Sequence, residues 1–263
     1  MQFFKQFDSL YQYRDWLNSQ PIPAKRKYTP STESGNKAWY GTDSYDEADE
    51  LFSGGDMDSF KKLIGGKVDY GGTGTDARRK MFSDVVGFAP NIGAVFAGDP
   101  RNMFNIRKSP VVSPVIDVVY CIGSSCGYSA DEQSEVNNMM LNALQRIEDA
   151  GTRINLYIFR GAHINSDYTA FTIKVKDATE NLSVYKLAYP LVNPSFQRRH
   201  GFRYIEVTDT QVIFNNWYTV EGDMARGILS QKSNIKADAV IDFYDIRRCN
   251  IQGVIDKIFE SVK

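Results

Sequence analysis

The turn Gly123-Ser124-Ser125-Cys126-Gly127 carries two hydroxyls and a thiol among small residues. Such groups can seat an anion, ligate an ion or attack a carbonyl. An apolar run ending at Cys121 precedes the turn, and an amphipathic stretch beginning at Ser129 follows it. The start of a long helix gathers free backbone N–H groups and partial positive charge, which favours an anionic group such as a partner's carboxylate. The structural alternative is that Gly123 and Ser124 permit a tight turn while Ser125 bonds to the backbone. Cys126 as a nucleophile would need a base, and His163, expected on the same sheet edge, is the candidate. The turn lacks the Gly-x-Ser-x-Gly spacing of a hydrolase elbow. Cys121 and Cys126 stand five apart, wider than a zinc pair, and neither His163 nor His200 has a local histidine partner. The expected binding edge is therefore Ser124, Ser125 and His163, with no catalytic residue, metal or cofactor assigned.

Two other stretches could meet phosphate. Arg198, Arg199, His200 and Arg203 interleave with Phe196, Phe202 and Tyr204, a combination that can grip a nucleic-acid backbone and stack bases. The alternative is a solvated helix end, or internal pairing to Glu206 and Asp209. Tyr70-Gly71-Gly72-Thr73-Gly74-Thr75-Asp76 precedes Arg78-Arg79-Lys80. Backbone N–H groups in such a loop can cradle phosphate, but Lys80 stands too late for a P-loop, and a flexible turn is the simpler reading.

Several elements must position these residues. Residues 3–17 place apolar groups at three- and four-residue spacing, predicting a helix that Pro21 and Pro23 end. Ser44 with Glu47 and Ser129 with Glu132 are spaced as capping boxes. Gly54-Gly55 closes the first of these helices, and residues 57–64 suit a short helix that Gly65-Gly66 stops. Residues 82–106 read as an irregular segment that packs. Residues 115–122 are nearly all apolar, as expected of a strand covered on both faces. A helix closing at Gly151, a strand over 154–158 and an antiparallel edge strand over 171–175 follow. Helix is expected over 182–191, broken by Pro190 and Pro194, with strands at 203–207 and 240–244, another strand or a covering hairpin over 212–218, and a terminal amphipathic helix over 251–262.

The chain has 263 residues, 42% of them hydrophobic and 24% charged, a net charge of −1 and three cysteines. That composition suits a globular fold with reduced thiols and no global field toward nucleic acid or acidic membranes. The N-terminus lacks a signal-peptide pattern, and no run suits a membrane span. A soluble, cytoplasmic protein without membrane partners is expected. The expected organisation is an N-terminal helix and linker over 1–36, a helical and irregular region over 37–110, and an α/β domain over 111–263.

The strand, turn and helix of 116–150 resemble the opening of a von Willebrand factor A-type (VWA) domain. That family carries Asp-x-Ser-x-Ser, whose oxygens hold Mg²⁺. The matching positions are Cys121, Gly123 and Ser125, so the resemblance implies a degenerate metal site, with Asp242 or Asp245 contributing only if the fold brings them near. It also implies an α/β fold with an open, mostly parallel sheet, helices on both faces, and the N-terminal region packed against it. The chain further resembles bacteriophage and prophage proteins of unassigned function. The likeness lies in residues 39–48, 87–92 with 97–103, the 115–160 unit, and Lys186–Leu191 with Asn193–Arg199. That resemblance implies a non-enzymatic protein-interaction module, acting in virion assembly or in the host cytoplasm on a phage or host protein. Two alternatives remain: nucleic-acid binding through Arg198, Arg199 and Arg203, and a metal-dependent hydrolase or nuclease.

Overall fold

The computed structural model describes residues 2–21, 29–65, 79–108, 113–208 and 218–261. The glycine-rich loop at 70–76 and most of the strand expected over 212–218 lie outside these residues. The main sheet runs β1 (Gln2–Phe7), β7 (Asp167–Lys176), β6 (Arg153–Ile164), β5 (Val115–Cys121), β9 (Ala239–Asp242), with β8 (Tyr218–Thr219) beside the end of β6. Pairing is parallel for β1 with β7, β5 with β6 and β5 with β9, and antiparallel for β6 with β7 and with β8. The fold is α/β with a mostly parallel, mixed sheet. A smaller antiparallel sheet is ordered β2 (Arg79–Asp84), β4 (Met103–Lys108), β3 (Ala89–Pro90).

The helices are α1 (Leu10–Ser19), α2 (Lys37–Tyr40), α3 (Tyr45–Gly54), α4 (Met57–Gly65), α5 (Ile92–Phe96), α6 (Ala130–Asp149), α7 (Val184–Leu187), α8 (Gly201–Thr208), α9 (Gly222–Lys232), α10 (Phe243–Arg247) and α11 (Ile251–Ser261). Alternation along the strands divides the core. Ile116, Val118 and Tyr120 of β5 join Met140, Leu144 and Ile147 of α6 and Val254 and Ile258 of α11 on one face. Val119 and Cys121 join Ala225, Ile228 and Leu229 of α9 on the other. Strands so covered need side chains that are apolar on both faces, which is why β5 reads as a continuous apolar run.

Several elements differ from expectation. Residues 3–7 form a strand, and the helix starts only at Leu10, after Ser9 caps it by accepting from Gln12 N. Phe3, Lys5 and Phe7 fit a period of two as well as 3.6, and pairing to β7 decides between them. The strand β7 is therefore interior, and β1 is the edge. The strand expected at 203–207 is helix α8, which continues from a π-helix over Phe196–His200, so no new nucleus is needed. Finally, 82–106 is a small sheet with a short helix rather than irregular chain. Pro190 does not end the helical path either, since the backbone widens into a π-helix at Ala188–Val192, a geometry that absorbs an irregular turn.

Candidate functional site

The expected binding edge begins where β5 ends. Its turn is held from several sides by the chain itself. Gln197, with its amide turned so that both ends are satisfied, donates to Ile122 O (2.8 Å) and accepts from Ser124 N (2.9 Å). Thr219 Oγ1 donates to Ser124 O at 3.3 Å, Trp39 Nε1 to Cys126 O at 2.8 Å, and Ser125 N to Tyr244 Oη at 3.1 Å. Ser125 Oγ accepts from Gly127 N at 3.3 Å. A Cβ at Gly123 would collide with the Thr219 Cγ2 methyl. At the start of α6, Ser129 Oγ accepts from Glu132 N, and Glu132 Oε2 accepts from Ser129 N at 2.8 Å. That hydrogen bonding holds the Glu132 carboxyl below its ordinary pKa. The place expected for a partner's carboxylate is thus taken by the chain's own.

Ser124 is buried while Ser125 and Cys126 are exposed. The residue of β6 opposite Cys121 is Phe159, and His163, four residues on, pairs with Tyr218 and Tyr168. Its ring is 5.8 Å from that of Tyr218.

The degenerate metal positions are placed as follows. Cys121 is buried, and burial together with Asp242 and Asp245 pushes its thiol well above the ordinary range. The fold does bring Asp242 beside Cys121, in register across β5 and β9. Asp242 is occupied in capping: Oδ1 accepts from Asp245 N (2.8 Å) and Oδ2 from Gly222 N (3.1 Å). Asp245 pairs with Lys257 at 2.5 Å. Among the described residues no three His, Cys, Asp or Glu side chains stand together as a metal site.

The basic stretch is interior, which corrects its reading as a phosphate-facing patch. Arg198 is 1% exposed and Arg199 0%. Arg198 donates to Trp39 O and to Tyr128 O (2.7 Å) and lies 4.2 Å from the Trp39 ring centroid. Arg199 donates to the carbonyls of Ser31 (3.2 Å), Glu33 and Thr42 (2.9 Å). Arg203 donates to Gln20 O at 3.1 Å. Burial lowers the Arg198 pKa to about 10. These side chains latch Gln20, Ser31, Glu33, Trp39 and Thr42 onto the helical path after β7, as a planar fork with five donors can.

Behind the latch lies a polar chain that sequence reading missed. His200 is fully buried, with Nδ1 3.0 Å from Tyr189 Oη and Nε2 3.5 Å from Asp49 Oδ1. Arg14 grips both Asp49 oxygens, at 2.7 and 2.5 Å. With its proton on Nε2, neutral His200 donates to Asp49 and accepts from Tyr189. Burial lowers the His200 pKa against the pull of Asp49. Burial also opposes the Asp49 charge, but hydrogen bonds from His200 and Arg14 outweigh it and hold that carboxyl below its usual range. A cavity of about 580 Å³ adjoins this chain, lined in part by Leu10, Tyr11, Arg14, Phe52, Tyr185 and Tyr189. Three cations lining it are paired internally: Arg14 with Asp49, Lys174 with Asp177 and Lys176 with Glu148.

The protein-family description "Domain of unknown function (DUF7192)" matches residues 2–260. The chain belongs to this family. No curated protein and no solved structure matches it.

One surface of this DUF7192 chain stands apart. Val85, Val86, Phe88, Ile92, Val95 and Phe96 are all exposed, Phe96 to 88%. The turn over 85–88 and the start of α5 are tied to one end of β4: Phe88 N donates to Phe104 O (2.8 Å), Asn91 N to Asn102 O (2.7 Å) and Asn105 Nδ2 to Val86 O (2.9 Å). The six residues therefore belong to the segment that joins β2 to β4 at one end of the small sheet. In the sequence these apolar residues stand among glycines and prolines, a pattern without a period that reads as packing rather than display. Among the described residues no helix is long and apolar enough to cross a membrane.

Proposed function

We propose that this DUF7192 chain is a non-enzymatic protein-interaction module whose contact surface is the apolar crest at residues 85–96. The observation that carries the reading is the display of six large apolar side chains within one short stretch. Contiguous exposed apolar surface is costly in water and marks interaction sites. The chemistry-bearing side chains point the same way: Asp242, Asp245, His200, Arg198 and Arg199 are engaged within the chain. A phage setting, in virion assembly or in the infected cell, is supported by the four sequence stretches described above.

The test uses the purified chain and a Val86→Asp/Phe96→Asp variant. The wild-type chain is expected to bind an apolar fluorescent dye in its native state and to retain a defined protein partner through washing. The variant should lose both while keeping its circular dichroism spectrum. Equal dye binding and an unchanged set of partners would place the contact surface elsewhere.

A further inference from the structure

We infer that the cavity beside Tyr189 binds an uncharged, planar aromatic molecule. At about 580 Å³ it has the size of a small-molecule site. Its lining joins four segments distant in sequence: the start of α1, the end of α3, the end of β7 and the path from α7 into the π-helix. Two of the large side chains that the fold leaves exposed, Tyr11 (75%) and Tyr185 (40%), belong to it. The Tyr185 ring is fixed although it is exposed. Its Oη donates to Gly54 O at 3.0 Å, and the Phe60 ring meets it edge to face at 5.5 Å. Gly55, at φ 91°, leaves room for it, since a Cβ there would strike Tyr185 Oη. Phe52 and Tyr189 pack together with ring centroids 5.6 Å apart, and Tyr189 Oη is held by His200 Nδ1. Rings positioned before a ligand arrives lower the cost of binding, and aromatic partners add contact energy beyond the area they bury.

The charges of the lining select an uncharged ligand. Arg14, Lys174 and Lys176 are committed to Asp49, Asp177 and Glu148. A charged ligand entering beside them loses hydration without gaining a counter-charge of its own, which is costly. Asp8, Glu180 and Lys186 of the lining lie at exposed positions, where water and salt screen them. Their signs are mixed, so they favour neither kind of ion. The inference stands without the proposed function, because no residue of the crest at 85–96 lines this cavity.

Calorimetric titration of the full chain with naphthol tests it. Saturable binding at one site is expected. Decahydronaphthol, similar in size but without aromatic rings, should bind about tenfold more weakly. Naphthoate and the naphthylmethylammonium ion should also bind more weakly than naphthol, because each carries a charge into the cavity. Tyr11→Leu/Tyr185→Leu keeps apolar surface and removes both exposed rings. It should weaken naphthol binding about tenfold with an unchanged circular dichroism spectrum, whereas Val86→Asp/Phe96→Asp should bind as the wild-type chain does. In the wild-type chain, nuclear Overhauser contacts should join naphthol protons to the rings of Tyr11 and Tyr185, a measurement that needs no variant. Absence of saturable binding up to the solubility limit of naphthol overturns the inference. So do equal affinity for the saturated or charged analogues, full affinity in the folded tyrosine variant, lost affinity in the crest variant, or Overhauser contacts that fall elsewhere.

Discussion

The Arg199 guanidinium lies 3.8 Å from the centroid of the Tyr40 ring. Tyr40 belongs to the N-terminal third of the chain and Arg199 to the π-helical path after β7, so the pair joins segments far apart in sequence. Gly41 permits the approach: it adopts φ 86°, and a Cβ there would press on Asn193 Oδ1 at 2.8 Å. Replacing Arg199 by Met should lower stability by about 3 kcal/mol, since buried carbonyls lose their donors. Lys should not rescue it, because one ammonium cannot reproduce the planar fork. Urea unfolding measures both. The same burial means that a low-salt gel shift, where phosphate contacts are strongest, should show no binding that depends on Arg198 or Arg199.

His200 gives the protein an acid sensitivity whose sign is fixed. Its folded pKa is lowered by burial, so as pH falls below about 6.5 the unfolded chain takes up a proton that the folded chain refuses. Stability is complete above that value and declines as pH falls toward the folded pKa. Asp49, whose pKa is also lowered, adds a further decline below about pH 4, where the unfolded carboxyl protonates first. Urea midpoints between about pH 7 and 5 should fall in the wild-type chain and flatten in His200→Asn. An equal slope in both would assign the effect to other groups.

Lys176 and Glu148 form a buried ion pair at 2.5 Å. Glu148 also accepts from Ile154 N (3.3 Å) and Leu182 N (3.2 Å), tying the end of α6 to β6 and to the entry of α7. Lys176→Met leaves a buried carboxylate without its cation and should cost about 3–5 kcal/mol. Glu148→Gln should cost less, because an amide oxygen still accepts one of the N–H groups. If thermal unfolding ranks the two variants the other way, the carboxylate is not the dominant buried charge.

Gly123→Ala tests how closely β8 covers the turn. The added methyl meets Thr219 Cγ2, and overpacking of this kind costs about 1–3 kcal/mol. Thr219→Ser keeps the hydroxyl that donates to Ser124 O and removes the offending methyl. A double-mutant cycle should therefore show favourable coupling between the two changes. Additive losses would mean that the turn is not covered by Thr219 in solution.

Elements whose pattern is local are legible in the amino-acid order alone. Ser129 and Glu132 announce the start of α6, and both halves of that capping box form. At Ser44 only half does: Ser44 Oγ accepts from Glu47 N, but the Glu47 carboxylate turns to Asp43 N and Lys37. The apolar run of β5 and the amphipathic spacing of α11 are likewise complete statements about burial, because each records which faces are covered. The tertiary structure alone decided the strand at residues 2–7, whose partner β7 lies some 165 positions away. It alone decided the fate of Arg198 and Arg199, since a run of cations reads as surface until distant carbonyls are brought to meet it. Periodicity reports one residue's environment. Hydrogen-bond partners for a buried charge are supplied by other segments, and only the folded chain brings them together.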